Sequence, residues 1–230
     1  MDNKDLERYI KDKTGVANYF VDEHGVAYSE DGKELLKAPK DLTCYEVRPG
    51  TETIRESAFE SCKSLEKVTI PDSVTVIGYS AFQGCESLKE VNLPKSLTGI
   101  RAETFDGCHS LEKIEIPNTV KYIDDIAFGA CRSLKEIVIP DSVDRVGYCA
   151  FDLCESLEKV TLSNSMECIN VECFCGCKSL EEITIPRSVK TIGYGAFDEC
   201  YCLRTIYVPK ENLRNFIHSY PEDRRWFKAY

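Results

Sequence analysis

The chain has 230 residues, 43% of them hydrophobic and 30% charged, enough apolar side chain for a sizeable core under a water-compatible surface. A net charge of −10 with no run of Lys or Arg argues against binding to a phosphate backbone, and no apolar stretch approaches the ~20 residues that cross a bilayer, so nucleic acid and membrane insertion are set aside. The 13 cysteines are odd in number and cannot all pair within one chain.

At the N-terminus, MDNKDLERYI lacks the basic-then-apolar order of a signal peptide, which predicts a cytoplasmic chain as it stands, and a cell-surface or secreted one if a leader has been removed. Leu6, Tyr9 and Ile10 share a helical face, with Gly15 just beyond. The following segment alternates apolar residues between turn signals at His24-Gly25 and Asp31-Gly32. Residues 1–41 therefore read as a cap made of a helix and a β-hairpin.

From residue 42 a period of 23 takes over. Leu42, Leu65, Leu88, Leu111, Leu134, Leu157, Leu180 and Leu203 align, as do Phe59, Phe82, Phe105, Phe128, Phe151, Phe174 and Phe197, and Cys62, Cys85, Cys108, Cys131, Cys154, Cys177 and Cys200. In each unit an alternating V-x-I reads as a short strand, and the Pro that follows removes an amide donor and ends it. A V-x-x-I segment then returns to the core, and glycines such as Gly78, Gly147 and Gly193 allow a bend before A-F-x-G-C, which is too short for more than one helical turn. One such unit cannot bury its own apolar edges, so the units must stack. The predicted fold is an α/β, mainly β, solenoid of 23-residue coils over 42–209.

The pattern C-x-S-L-x-x-V-x-I-P-x-S-V-x-x-I-G-x-x-A-F resembles the BspA-like class of leucine-rich repeats. That resemblance implies a right-handed superhelix with a parallel β-sheet on its concave face, and a role in binding other macromolecules. Familiar members of the class are bacterial surface proteins that adhere to host matrix proteins, so adhesion is the use the resemblance suggests.

After Pro209, Leu213, Phe216 and Ile217 recur at helical spacing and Trp226 is the only tryptophan, so 210–230 reads as a helical cap for the last coil. Along the solenoid the charged pairs Glu66-Lys67, Lys89-Glu90, Glu112-Lys113, Lys135-Glu136 and Glu158-Lys159 invert at every coil. In a parallel stack each charge then meets its opposite, and a skipped coil would set like charges together. The alternation fails at Glu181-Glu182.

Cys173, Cys175 and Cys177 form the one dense thiol cluster. Cys177 belongs to the cysteine column and Cys173 to a column of small core residues, which leaves Cys175, in a variable column, as the candidate reactive thiol. C-x-C-x-C with no nearby His is a poor zinc ligand set, so no metal and no cofactor are expected. The three histidines lie far apart, and no nucleophile–base pair or phosphate-cradling loop stands out. The favoured function is a non-enzymatic module that binds a protein; the alternative is a thiol-dependent enzyme or a redox or metal site in the coil from Cys168 to Cys177. The outward position of the first strand runs Glu46, Thr69, Asn92, Glu115, Val138, Thr161, Thr184, Tyr207, from polar or acidic to uncharged. Its C-terminal half, Val138, Thr161, Thr184 and Tyr207, is the predicted binding surface, because uncharged and aromatic exposed groups suit an interface centre.

Overall fold

A computed structural model describes residues 3–219 and 224–230; residues 1, 2 and 220–223, which belong to the two predicted caps, lie outside the described residues. Helix α1 (Asn3–Tyr9) runs on as a wider turn to Thr14 and stops at Gly15, whose φ of +67° is left-handed. Strands β1 (Tyr19–Val21), β2 (Ala27–Ser29) and β3 (Glu34–Lys37) follow as an antiparallel meander. Ile10, Ala27 and Leu36 make a small separate core between helix and meander. Lys37 is buried there, its ammonium donating to the Ser57 carbonyl and lying 4.9 Å from the Tyr9 ring centroid.

The coils stack through two strand ladders and one column of turns. The first ladder opens with β4 (Cys44–Glu46), which pairs in parallel with Lys67–Thr69, and that strand pairs with Glu90–Val91. The second begins on β3 and continues through Thr53–Ile54 and Val76–Ile77, each step again 23 residues on once the coils are regular. In the register Val68 pairs with Val91, and Ile54 with Ile77, so like apolar residues lie over one another. Their side chains, with the leucine and phenylalanine columns, form one continuous core from the meander to Phe227.

Seven phenylalanine rings stack along this core from Phe59 to Phe197, with centroids 4.9 to 5.9 Å apart and planes within 11° of parallel. The cysteine column has a chemical reason to run beside them. Cys85, Cys108, Cys131, Cys154, Cys177 and Cys200 each donate a thiol hydrogen to the carbonyl of the phenylalanine 26 residues earlier, at 3.1 to 3.4 Å. Each is thus a small hydrophobe that also gives the carbonyl a second donor, beside the amide three residues after the phenylalanine, which an alanine would not do.

Neither strand ladder is continuous. The first is interrupted around the coil of Glu112–Ile116, which pairs as a strand with neither Glu90–Val91 nor Glu136–Val138, and again between Lys159–Thr161 and Glu182–Thr184. The second is interrupted between Val76–Ile77 and Gly99–Ile100, and between Arg145–Val146 and Cys168–Ile169. Two asparagine side chains stand in for backbone at or beside these breaks: Asn92 exchanges two hydrogen bonds with Ile70 N and O, and the Asn170 amide donates to Val146 O. The turn column does not break. Three amides per coil, those of Ser57, Phe59 and Ser61 in the first instance, donate to carbonyls of the next coil at 2.7 to 3.1 Å, and the pattern repeats without a gap to Gly176.

That turn geometry departs from what the glycine pattern predicts. The left-handed residues are Ser57, Ser80, Glu103, Ile126, Cys149 and Glu172 in one column, with Ser61, Ala130, Leu153 and Glu199 among the second, and most are not glycine. Gly78, Gly147 and Gly193 have ordinary φ and are needed for another reason: a Cβ on any of them would sit 2.4 to 2.5 Å from a backbone nitrogen of the preceding coil. Where Ser163 replaces the repeat proline, its hydroxyl donates to Val143 O at 2.6 Å and lets the buried polar residue fit.

The C-terminal segment carries helix α2 (Leu213–Ser219) and then a strand with no counterpart in the sequence reading, Phe227–Ala229, which adds in parallel to Thr205–Val208. Phe216 and Phe227 close the last coil with rings 6.3 Å apart.

Candidate functional site

The first ladder positions the predicted row. Because side chains alternate along a strand, the residue between two core positions must face outward. Val138 and Thr161 are register partners, as are Thr184 and Tyr207, whereas the break in the ladder separates Thr161 from Thr184. Val138 is 58% exposed and the two threonines are exposed. Tyr207 is half-buried, since Lys228 of the terminal strand lies in register beside it.

The breaks shape this face. Between the coils of Glu90 and Glu112 lies a cleft of about 910 Å³, lined by Val91, Asn92, Leu93, Ile114, Glu115 and Ile116 among others. Ile116 is half-buried there, while Ile70 and Ile139 in the same column are almost fully enclosed. At the second break Glu158 and Glu181 occupy the same column on facing coils, and Val160 is correspondingly half-buried. Three of the alternating charge pairs close across neighbouring coils: Lys89 to Glu66 at 2.8 Å, Lys67 to Glu90 and Lys135 to Glu112 at 3.1 Å. At the first break Lys113 turns instead to Glu115 of its own coil.

The thiol cluster has a different electrostatic setting. Cys175 is half-buried beside Asp152, and burial, then that carboxylate, then Glu199 and Asp198, push its thiol up to about 12. Cys149 donates to Glu172 Oε2 at 3.4 Å and is pushed up to about 11, first by burial and then by that bond. Both are protonated at neutral pH, the reverse of a thiolate nucleophile, which needs positive charge nearby. Cys173 and Cys177 are fully buried, and Cys168 makes a weak contact to Asn170 at 3.7 Å. Among the described residues no three His, Cys, Asp or Glu side chains are arranged to hold a metal ion, and no helix is long and apolar enough to cross a membrane.

Sequence reasoning missed two features of this surface. Beside the cleft Asn92 turns its amide toward Ile70, and the only sequence signal of this is an Asn where the neighbouring coils carry Thr69 and Glu115. Tyr194 and Tyr201 in the last coil are 79% and 75% exposed; Tyr201 holds a column that is Lys, Glu, His or Arg in the other coils, which is a readable signal.

Comparison with known proteins places this architecture. Residues 52–126 and 98–220 match the model of the BspA type leucine rich repeat region, in six copies. Among solved structures, a leucine-rich repeat protein from Bacteroides ovatus is 34% identical, with a TM-score of 0.72, over 83% of this chain and 53% of that one. A leucine-rich repeat protein of T. pallidum is 30% identical, TM-score 0.67, over 89% and 93%. One from Eubacterium ventriosum is 28% identical, TM-score 0.72, over 79% and 50%. The chain thus spans about half the length of the Bacteroides and Eubacterium chains. No curated protein matches it.

Proposed function

Because this chain belongs to the BspA-type leucine-rich repeat family, we propose that it is a non-catalytic module that binds a protein partner through the outward row Val138, Thr161, Thr184 and Tyr207, with adhesion to a host matrix protein as the use made of that binding. The observation that carries the reading is Val138, an aliphatic side chain 58% exposed at the end of a parallel strand pair, whose two inward neighbours, Ile137 and Ile139, are each 1% exposed. Folding does not need an apolar group at that position, and a rigid sheet holds it in place at little entropic cost on binding. The thiol alternative is disfavoured by burial and then by the carboxylates around Cys175 and Cys149, which together hold both thiols protonated.

The test is binding of the chain to immobilised matrix proteins and to a native lysate, against Val138→Glu and Thr184→Glu, both at exposed positions. A loss of about tenfold or more in affinity for a specific partner, with an unchanged circular dichroism spectrum, is the expected result. Equal affinity of wild type and both variants for every specific partner would remove the row from consideration.

A further inference from the structure

One coil lacks the first strand. Each of the other seven pairs this strand with at least one neighbour, whereas residues 112–116 pair with none. Their sequence is no poorer in strand character, since EKIEIP keeps Ile114 and Ile116 at the alternating core positions and Pro117 after them. Their register is also fixed, because the coil is locked elsewhere. Gly99–Ile100 pairs with Tyr122–Ile123, which pairs with Arg145–Val146. In the turn column the amides of Glu103, Phe105 and Gly107 donate to the carbonyls of Asp125, Ala127 and Gly129 at 2.8 to 3.0 Å. A strand over 112–116 would therefore set Val91, Ile114 and Ile137 side by side without any slip of the chain.

The bond that ends each strand junction differs just before this coil. In three paired junctions the amide after the outward residue donates to the outward residue of the next coil: Val47 to Thr69 O, Ile139 to Thr161 O and Ile185 to Tyr207 O, at 2.8 to 2.9 Å. Ile70 instead meets a side chain. Its amide donates to Asn92 Oδ1 at 3.0 Å, and Asn92 Nδ2 donates to Ile70 O at 2.7 Å. A carboxamide thus stands where the Asn92 carbonyl would otherwise accept, which sets the following backbone off from the coil before it. Beyond it the amides of Leu93 and Ile116 have no backbone acceptor among the described residues, and the cleft of about 910 Å³ lies between these two coils. Lys113 bonds Glu115 of its own coil at 3.1 Å, while Glu136, one register step from Lys113, forms no ion pair among the described residues.

We propose that residues 112–116 are a strap poised to close: in a second position they complete the first ladder between Glu90–Val91 and Glu136–Val138, and the Asn92 side chain is the wedge that holds them open. Closing exchanges water for protein partners at the strap backbone, encloses Ile116 as Ile70 and Ile139 are enclosed, and offers Lys113 to Glu136. Opening keeps the two Asn92 bonds to Ile70. A backbone bond gained at the expense of water is worth little net, so the opposing contributions are small and one side chain can set the balance. Closure would also join the two halves of the outward row through Glu115, which lies between Asn92 and Val138 in that row. The strap itself does not depend on what the row binds.

Amide hydrogen exchange of the 230-residue chain, read residue by residue by NMR with reductant present, tests this on the wild type and on Asn92→Thr, which installs the residue that Thr69, Thr161 and Thr184 hold in the same column. In the wild type the Leu93 and Ile116 amides are expected to exchange at least about 100-fold faster than those of Val47, Ile139 and Ile185, their equivalents in paired coils. In Asn92→Thr both are expected to slow by about tenfold or more, with a thermal midpoint no lower than that of the wild type. Wild-type Leu93 and Ile116 amides as slow as those of Val47, Ile139 and Ile185 overturn the open position. A folded Asn92→Thr in which both stay fast overturns the wedge. If Asn92→Thr melts below the wild type, Asn92→Val, with the residue type of Val138, repeats the test with the same outcomes. A lower midpoint in both variants also overturns the proposal, because closure adds bonds to the fold.

Discussion

The buried thiol column predicts steep alkaline unfolding. Burial pushes Cys62 up to about 11 from an ordinary value of 9.0, and pushes Cys85, Cys108, Cys131, Cys154 and Cys173 higher still; Cys177 is raised first by its bond with Cys200 and then by burial. A raised folded value means that the unfolded chain gives up these protons first, so the stability is fully present below pH 9 and is lost as pH rises above it. At pH 10 a thiol that stays protonated in the fold and ionises when unfolded costs about 1.4 kcal/mol, or about 8 kcal/mol over the six most enclosed. That equals the whole stability of many domains of this size. Urea midpoints measured anaerobically with a phosphine reductant should be flat to about pH 8.5 and then fall steeply, with the protein unfolded near pH 10 to 10.5. Cys131→Ala should lower stability at pH 7 by opening a small cavity and removing the second donor to Phe105 O, which keeps the Cys108 amide, yet make the pH slope shallower by one proton. Lys37, pushed down by its burial, works in the opposite direction but is a single group. Tyr28 and Tyr45 add to the loss only above pH 10. A midpoint unchanged from pH 8.5 to 10, or a slope under two protons, would refute the claim that these thiols are sealed from water.

Phe128→Ala removes a ring from the middle of the stack and should cost about 3 to 5 kcal/mol in chemical denaturation. Gly193→Ala places a Cβ 2.4 Å from the Val171 nitrogen and should cost about 1 to 3 kcal/mol, more than any exposed substitution in the same coil, as read by thermal melting. Ser57→Gly, at φ +55°, should raise stability by up to about 1 kcal/mol, and Gly195→Ala, at φ +64°, should lower it by about the same amount. If both changes are neutral, the turn column stores no backbone strain.

The sequence by itself determined the period, the parallel stacking and the identity of the core, because a 23-residue column of Leu, Phe and Cys leaves each coil one way to bury its edge. It also determined which side of the first strand faces solvent, since that follows from alternation alone, and three of the ion pairs expected from the inverted charges formed. Only the tertiary structure decided where the ladders open. Asn92 and the failed alternation at Glu181-Glu182 stand beside two of the breaks, but which backbone the Asn92 amide bonds to, and whether a ladder parts there, depends on how the stacked coils sit against each other. The reason for the cysteines was likewise out of reach, because the Phe carbonyl that each thiol satisfies lies 26 residues earlier and becomes a neighbour only once the coils are stacked. The same holds for Phe227–Ala229, a segment with no repeat pattern that becomes a strand because the last coil offers it an edge to complete.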